Sequence, residues 1–467
     1  MILKRFYEDQ LAHASYLVGC AQTGEAVVID PHRDIRQYLE VAEREKLTIV
    51  AVTETHIHAD FVSGSRELGE ATGATLYLTD EGDSDWKYQF ADESNVRLVK
   101  HGDHLMIGRI RLDFRHTPGH TPEHIAMVLT DGPASDEPLG AFTGDFVFVG
   151  DVGRPDLLER AAGFEGTMEK GARVLFQSLQ SFKRDLPENL LIWPAHGAGS
   201  ACGKSLGGVP DSALGYELRA NWGLRESDED AFVLEVLAGQ PEPPAYFKEM
   251  KRINKVGPQL VGPISLPRPY HAAKAVAKMR EAIVLDIRSS AEWLRGAVPD
   301  SIHVPIGPGF LTWAGSVLPF AVPLLLLGTE AQVREANRLL LLIGFDQVIG
   351  WVSPAALRGM DLVATPEVSG SEGVARAQRG HSVLLDVRGQ RERDEVKVDP
   401  STHIPLGEVL RNGASLPHDR EIIVTCAGGV RSPIAISLLR RLGFDKVVNL
   451  VGGVSGCAEA ATCAPVG

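Results

Sequence analysis

The sequence predicts a mixed α/β protein of three domains: a sandwich of two sheets with helices outside, followed by two parallel α/β domains. Four short apolar runs in the first half each lead into a histidine or aspartate motif. The second half contains an internal repeat with an offset of 100 residues. The length of 467 residues exceeds one hydrophobic core and fits three domains of ~150 residues.

The first motif, His-Ile-His-Ala-Asp-Phe at residues 56–61, follows the apolar run 47–52. Histidines and a carboxylate with this spacing at a strand end build metal sites. A two-zinc hydrolase with this motif would need a histidine at position 61, but Phe61 has no lone pair to donate. The sequence therefore predicts a site for one metal ion.

Three further motifs follow apolar runs: His-Thr-Pro-Gly-His at 116–120, Phe-Thr-Gly-Asp at 142–145 and Trp-Pro-Ala-His at 193–196. Strand ends that converge on one rim of a sandwich can combine these residues into one site, with Gly119 and Gly144 allowing tight turns. Four other histidines are interpreted as surface or hydrogen-bonded residues: His101, His104, His116 and His124.

In order and spacing, the four motifs resemble the metallo-β-lactamase fold, an αββα sandwich, over residues 1–245. Within that fold the sequence is most similar to the persulfide dioxygenases, which hold one iron(II) through two histidines and one aspartate. The resemblance implies one Fe(II) per chain, with zinc as a substitute, and open positions for a sulfur substrate and dioxygen. The implied metal ligands are His56, His120 and Asp145. The implied groups that orient these ligands are His58, Asp60 and His196.

Arg154 is a candidate substrate-binding residue because the resemblance places its segment, residues 151–156, beside the active site. Its guanidinium could clamp an anionic group of the substrate. The alternative is an ion pair with Asp151 or Asp156.

Cys202 is a second candidate, in the glycine-rich loop 197–204. Its closeness in sequence to His196 and Lys204 predicts a lowered thiol pKa and a capacity to hold a persulfide, with a buried inert cysteine as the alternative. The loop resembles that of dioxygenase-rhodanese fusions. Ala198 departs from the single-domain dioxygenases, where an aromatic hydroxyl residue follows the histidine.

Residues 422–433 predict a strand, a tight loop and a helix, with Cys426 at the loop entrance. Glycines let the loop curl so that amide N–H groups point inward, and the helix N-terminus and Arg431 add positive charge. These features favour a thiolate, which can accept and release sulfane sulfur as a persulfide. The candidate catalytic residues are Cys426 and Arg431. The candidate substrate-binding loop is Ala427, Gly428, Gly429 and Val430.

The surroundings of Cys426 resemble a rhodanese domain over residues 366–467. Cys457 replaces a tryptophan that many relatives have, and neither Cys457 nor Cys463 receives a predicted role. A second copy of the same fold is predicted over residues 262–365.

The first copy is predicted to be catalytically inactive. Leu327 stands at the predicted position of the nucleophile, and Gln332 stands opposite Arg431. A domain that lacks both the thiol and the arginine cannot carry sulfur by the same mechanism. We therefore expect a structural or docking role for it.

Composition argues against several classes of protein. The net charge of −14 disfavours general nucleic-acid binding, and the leucine runs are too short to span a bilayer. The N-terminus lacks the pattern of a secretory signal, and five cysteines without regular spacing fit a reducing compartment. The expected location is the cytoplasm.

These observations lead to one functional hypothesis. The iron domain oxidises a small thiol persulfide with dioxygen to sulfite, and the last domain transfers sulfane sulfur to sulfite to give thiosulfate. Resemblance to related dioxygenases implies a homo-oligomer. The alternatives are a zinc thioester hydrolase of the glyoxalase II type and a sulfur carrier that performs no oxidation.

Overall fold

The computed structural model describes residues 1–160 and 166–458, and the chain divides into two compact units. Unit 1 comprises Met1–Ile264 with Leu341–Gly344, and unit 2 comprises Ser265–Leu340 with Phe345–Gly467. Cys463 lies outside the described residues. Cys457 lies on the last helix, at a position where the structure describes the backbone and not the side chain.

Two six-stranded sheets form the centre of unit 1. The first sheet contains, in spatial order, β1 (Ile2–Glu8), β2 (His13–Gly19), β3 (Glu25–Ile29), β4 (Thr48–Thr53), β5 (Thr75–Thr79) and β6 (Val96–Val99). The second contains β7 (His104–Ile107), β8 (Ile110–His116), β9 (Ile125–Asp131), β10 (Gly140–Gly144), β11 (Leu191–Pro194) and β12 (Ser212–Ala213), also in spatial order.

Helices accompany the two sheets. They are α1 (Arg36–Glu45), α2 (Ser65–Thr72), α3 (Leu157–Arg160), α4 (Met168–Asp185), α5 (Leu214–Ala220), α6 (Trp222–Arg225), α7 (Glu229–Leu237) and α8 (Phe247–Val256), with a short 3-10 helix at Ser84–Trp86. One buried cluster joins the facing sides of the sheets, including Val27 and Phe142. Separate clusters join the first sheet to α1 and α2 and the second sheet to α4 and α7. The predicted αββα sandwich is therefore confirmed.

Unit 2 contains two five-stranded parallel sheets. The strands of the first are β13 (Pro269–Tyr270), β14 (Ile283–Asp286), β15 (Ile302–His303), β16 (Leu324–Leu327) and β17 (Val348–Val352). The strands of the second are β18 (Glu367–Val368), β19 (Ser382–Asp386), β20 (Thr402–His403), β21 (Glu421–Thr425) and β22 (Val447–Leu450). Their spatial orders are β13-β17-β16-β14-β15 and β18-β22-β21-β19-β20.

The helices of unit 2 alternate with these strands, as expected for parallel α/β folding. Those of the first copy are α9 (Ala272–Met279), α10 (Ser290–Arg295), α11 (Phe310–Val317) and α12 (Glu330–Leu342), whose last residues belong to unit 1, with a 3-10 helix at Pro354–Leu357. Those of the second are α13 (Gly370–Gln378), α14 (Gln390–Glu395), α15 (Val409–Asn412), α16 (Arg431–Arg441) and α17 (Gly453–Ala458), with 3-10 helices at Leu406–Glu408 and Gly413–Ser415.

The two sheets of unit 2 share their strand order and the register of the edge strands β15 and β20 with their neighbours β14 and β19. Asp286 pairs with His303 in the first copy, and Asp386 pairs with His403 in the second. The internal repeat of the sequence is thus a repeat of fold. The domain boundaries at 262–365 and 366–467, like the boundary at 245, stay predictions.

The strand register corrects the nucleophile position of the first copy by one residue. Leu327 has the strand partner that Thr425 has in the second copy, so Gly328 matches Cys426. The prediction of Leu327 is wrong because the segment from this strand to the end of the next helix is one residue shorter in the first copy. Glycine also lacks a thiol, so the expectation of an inactive copy is unchanged.

Helix α16, which begins directly after the Cys426 loop, packs on the first copy. The backbone N–H of His303 donates to Ser437 Oγ at 3.1 Å, and the Arg441 guanidinium donates to the Asp300 carbonyl at 2.6 Å. Within unit 2, the first copy thus supports the helix that carries one end of the loop. Among the described residues, no helix is long and apolar enough to cross a bilayer.

Candidate metal centre and sulfur-transfer loop

Three buried side chains converge at the rim of the unit 1 sandwich. His56 follows β4, His120 follows β8, and Asp145 follows β10, each on the loop after its strand. One ligand atom from each lies within 4.8 Å of the other two. The described residues therefore contain a His-His-Asp group able to hold a metal ion.

The loop of the first motif is held by Asp30, which follows β3. Its carboxylate accepts the Thr55 backbone N–H at 2.7 Å, the Thr55 hydroxyl at 3.0 Å and His58 Nε2 at 3.1 Å. The sequence interpretation missed Asp30. Its position could have identified it, because Asp30 directly follows the apolar run 26–29, as the metal motifs follow theirs.

The second and third motifs are held by backbone contacts. His120 Nδ1 donates to the Arg154 carbonyl at 3.0 Å, and the Asp145 N–H donates to His124 Nε2 at 3.2 Å. Gly144 has φ +52°, and a Cβ there would lie 2.6 Å from both His124 Nε2 and Thr55 Oγ1. The predicted need for glycine at this turn is confirmed, and His124 supports the loop as a hydrogen-bonded histidine.

The buried histidines differ in protonation. Burial lowers the pKa of His56 well below its ordinary value and also lowers the pKa of His120, although the Asp145 charge opposes the second shift. Burial opposes the charged form of His58 as well, but Asp30 and the other nearby carboxylates raise its pKa to about 9. Neutral imidazoles donate lone pairs to metals. The pattern thus fits His56 and His120 as ligands and His58 as a charged partner of carboxylates.

The cluster also passes a test of fit for a metal ion. Both carboxylate oxygens of Asp145 are buried, and neither has a hydrogen-bond partner among the described residues. Such a carboxylate is costly unless a cation compensates it. His120 Nε2 lies 3.4 Å from Asp145 Oδ2, while its Nδ1 is fixed by a carbonyl, an arrangement that proteins use to orient metal-binding histidines.

A second buried group lies beside the first. Ligand atoms of Asp60, His196 and Cys202 lie within 4.8 Å of one another. His196 Nε2 is 3.3 Å from Asp60 Oδ2 and 3.4 Å from Asp145 Oδ1, and His196 Nδ1 donates to the Ala12 carbonyl at 3.0 Å. His196 and Asp60 therefore adjoin the metal-binding group, and Cys202 reaches the same place.

The predicted lowering of the Cys202 pKa is wrong. Burial raises the pKa of this thiol to about 12, and the Asp145 charge adds to the increase. Lys204 points elsewhere, because its Nζ pairs with Glu235 at 2.7 Å. His196 does act to lower the pKa of the thiol, but by less than burial raises it.

Arg154 forms an ion pair with Asp156, which is the alternative to the predicted substrate clamp. The side chain is fully buried, with Nε and Nη2 donating to the two oxygens of Asp156 at 2.8 and 2.7 Å and Nη1 donating to the Ala201 carbonyl at 2.7 Å. The predicted clamp on an anionic substrate is contradicted, because these bonds direct the guanidinium into the protein. Arg154 instead ties the loop before Cys202 to the loop after Asp145.

Phe61 occupies a buried position between two histidines. Its ring centroid lies 4.2 Å from that of His13 and 4.5 Å from that of His58. Neither ring nitrogen of His13 has a hydrogen-bond partner in the described part of the chain. The sequence interpretation missed His13, which begins β2 and belongs to no motif.

In unit 2, Cys426 directly follows β21, and its thiol is buried. Its Sγ accepts the Gly429 N–H at 3.1 Å, in a loop where Gly429 has φ +90°. The Cys426 carbonyl accepts the Val454 N–H at 2.7 Å, which fixes the loop from behind. The inward-pointing amide that the sequence predicts is thus present.

Arg431, the cation predicted beside this loop, is paired with a carboxylate that the sequence analysis did not identify. Its Nη1 and Nη2 donate to the Glu392 carboxylate at 2.5 and 2.6 Å. These hydrogen bonds raise the pKa of Arg431 and lower the pKa of Glu392. Glu392 lies 39 residues before Arg431, and its sequence neighbours gave no sign of this contact.

Comparison with known proteins agrees with this architecture. Residues 9–196 match the metallo-beta-lactamase superfamily, and residues 371–460 match the rhodanese-like domain. A solved structure described as a metallo-beta-lactamase from Staphylococcus aureus subsp. aureus COL is 40% identical, with a TM-score of 0.68, and the match covers 76% of this chain and 99% of that one. The chain belongs to the metallo-beta-lactamase superfamily.

Two curated proteins are also similar to this chain. The mitochondrial persulfide dioxygenase of Bos taurus is 29% identical over 206 residues, which is 42% of this chain and 68% of that protein. The hydroxyacylglutathione hydrolase of Hyphomonas neptunium is 34% identical over 181 residues, or 39% of this chain and 60% of that protein. The predicted architecture, a persulfide dioxygenase-like domain fused to a rhodanese-like domain, is confirmed.

Proposed function

We propose that this protein oxidises a low-molecular-weight thiol persulfide to sulfite at an iron site in unit 1 and forms thiosulfate by sulfur transfer from Cys426. The observation that carries the proposal is the presence of both centres in one chain: the buried His56, His120 and Asp145 group and the Cys426 loop. The similarity to persulfide dioxygenases supports the choice of reaction.

The residues around the metal group have separable tasks. His56, His120 and Asp145 would hold Fe(II), which when bound offers open positions to the persulfide sulfur and dioxygen. The carbonyl of Arg154 keeps His120 in one orientation, and Asp30 with Thr55 keeps the first loop in place. The reaction consumes one persulfide, one dioxygen and one water, and it releases the thiol and sulfite.

Cys202 is proposed to contact the sulfur end of the substrate. Its side chain is buried beside Asp60 and His196, and burial keeps it as a thiol rather than a thiolate. A neutral thiol can donate a weak hydrogen bond to an anionic persulfide without adding negative charge beside Asp145. This role needs no lowered pKa.

Cys426 is proposed to carry the second sulfur. Its thiolate would attack the outer sulfur of another persulfide, release the carrier thiolate and become a persulfide. Sulfite would then take that sulfur as thiosulfate and leave Cys426 as the thiolate. The Gly429 N–H is placed to stabilise negative charge on Sγ, and Ala427, Gly428 and Val430 complete the loop that receives the substrate.

The test is oxygen uptake by anaerobically purified, iron-loaded protein supplied with glutathione persulfide, with sulfite and thiosulfate assayed together. Cys426→Ser should keep uptake and release sulfite, whereas Asp145→Ala should lose iron and uptake. Each variant is the control for the other. Equal loss of uptake in both variants would contradict the division into two centres.

Hydrolysis of a thioester is the second candidate, because the chain is also similar to a hydroxyacylglutathione hydrolase. Phe61 argues against it, since a carbon ring packed between His13 and His58 supplies no ligand to a second metal. Thioester turnover without oxygen uptake would favour this candidate. Persulfide turnover with no oxygen uptake would favour the sulfur carrier. The cytoplasmic location, the homo-oligomer and the absence of nucleic-acid and membrane partners stay predictions.

A further inference from the structure

We propose that Glu392 is a positioning residue of the sulfur-transfer centre. It fixes the Arg431 guanidinium in one orientation beside the Cys426 loop, so that the cation is ready to receive an anionic sulfur acceptor such as sulfite. This inference rests on the proposed sulfur transfer from Cys426. It assigns a task to a residue outside the loop motif.

The contact between Glu392 and Arg431 is bidentate. Each carboxylate oxygen accepts a hydrogen bond from one terminal guanidinium nitrogen, at 2.5 and 2.6 Å. Two parallel hydrogen bonds fix the plane of a guanidinium as well as its position. A guanidinium has five N–H donors, of which this pair uses two, and no residue that the structure describes accepts the other three. The Arg431 side chain is 21% exposed and therefore accessible to a ligand.

Glu392 is itself anchored to the backbone. Its Oε2 also accepts the Gly389 N–H at 3.1 Å, at the start of α14. The carboxylate is therefore not a mobile surface acid that happens to meet an arginine. It connects the first turn of α14 to the first residue of α16, which directly follows the Cys426 loop.

The inactive copy provides an internal comparison, because Glu292 occupies the place of Glu392 at an offset of 100 residues. Glu292 keeps the capping contact, with its carboxylate accepting the Ser289 N–H at 3.1 Å. Position 332 is glutamine, whose amide oxygen accepts the Thr329 N–H at 2.9 Å. Both copies keep the cap, but the contact with arginine occurs in the copy that has the thiol. The arginine contact therefore has a task beyond helix capping.

Fixing the cation has a cost and a benefit. The Glu392 charge partly neutralises Arg431, which by itself would weaken the attraction of an anion. A preoriented donor, however, needs no reorganisation when the acceptor arrives. If orientation dominates, removal of the carboxylate leaves more positive charge near Cys426 but binds sulfite less well.

The experiment compares Glu392→Gln with Glu292→Gln in the full-length protein. Sulfur transfer from glutathione persulfide to sulfite is measured without dioxygen, so that oxidation at the other centre does not contribute. We expect Glu392→Gln to raise the KM for sulfite about tenfold, with a smaller change in kcat. Iodoacetamide should alkylate Cys426 faster in this variant, as measured on its peptide by mass spectrometry, because Arg431 is no longer neutralised.

Glu292→Gln should change neither the KM nor the alkylation rate. Glu392→Asp, which restores the charge on a shorter side chain, should recover part of the lost affinity for sulfite, and it replaces Glu392→Gln if that variant does not fold. A lower KM for sulfite together with faster alkylation would overturn the inference, because the negative charge of Glu392 would then weaken sulfite binding more than its hold on Arg431 favours it. Unchanged kinetics in Glu392→Gln would also overturn the inference, because capping of helix α14 would then be the remaining role of Glu392. No transfer by the wild-type chain would overturn the proposed function instead, and this inference with it.

Discussion

At the scale of single residues, protonation separates the histidines of the metal group from those around it. Burial favours neutral imidazoles at His56 and His120, while the surrounding carboxylates favour a charged ring at His58. All three rings are buried, so burial alone does not distinguish their pKa values. The carboxylates beside His58, above all Asp30, account for the difference.

His56→Ala should lose most of the bound iron, because a set of three ligands that loses one retains little hold on the metal. His116→Ala is the matched control, since its Nε2 contacts the Pro122 carbonyl at 2.8 Å, outside the metal group. Iron per chain, measured by mass spectrometry after anaerobic desalting, decides the comparison. Retention of iron by His56→Ala would refute the ligand assignment.

Glu123 should make stability depend on pH. It is fully buried, and burial raises the pKa of its carboxyl from 4.5 to about 7. The folded state therefore binds more protons than the unfolded state between these values, and stability falls as pH rises through this window. Glu123→Gln should match the wild type near pH 5 and be more stable at pH 8, by at most ~3 kcal/mol.

Thermal unfolding at the two pH values measures this difference, with the exposed Glu137→Gln as the control. That control should behave as the wild type at both pH values. A Glu123→Gln variant that is no more stable than the wild type at pH 8 would show that the carboxyl titrates normally.

At the scale of elements, the turn after β10 depends on Gly144. Its φ of +52° and the close approach of His124 and Thr55 leave no room for a Cβ. Gly144→Ala should destabilise the protein by ~1–3 kcal/mol and weaken iron binding, because Asp145 would move with the turn. Gly208→Ala, where a Cβ meets nothing within 4 Å, is the control. Equal melting temperatures and iron contents for the two variants would contradict this account.

The local sequence predicted the strands and turns that carry the metal motifs. The predictions that were wrong concern side chains whose partners are distant in the sequence. The metal motifs follow β4, β8, β10 and β11 as expected, because an apolar run followed by a glycine or histidine turn is visible in a few residues. The partner of Arg154, the pKa of Cys202 and the pairing of Glu392 with Arg431 depend on the packing of separate loops. The one-residue error at Leu327 arose at a loop whose length differs between the copies.

At the scale of the whole molecule, the two proposed centres use residues of different units. All three proposed ligands belong to unit 1, and Cys426 belongs to unit 2. Removing iron with a chelator should therefore abolish oxygen uptake and leave anaerobic sulfur transfer to sulfite within about twofold of the untreated rate. Reloading Fe(II) should restore uptake, and a parallel loss of both activities on chelation would contradict this independence.

The glycine at position 328 means that one substitution could not give the first copy the sulfur chemistry proposed for the second. A Cβ placed there would lie 2.8 Å from Ile287 Cγ1, so a thiol could not be introduced without moving a buried neighbour. Gln332 would also have to become a cation that Glu292 could hold. The first copy would therefore need at least two substitutions and a shift of Ile287 to acquire the sulfur chemistry proposed for the second.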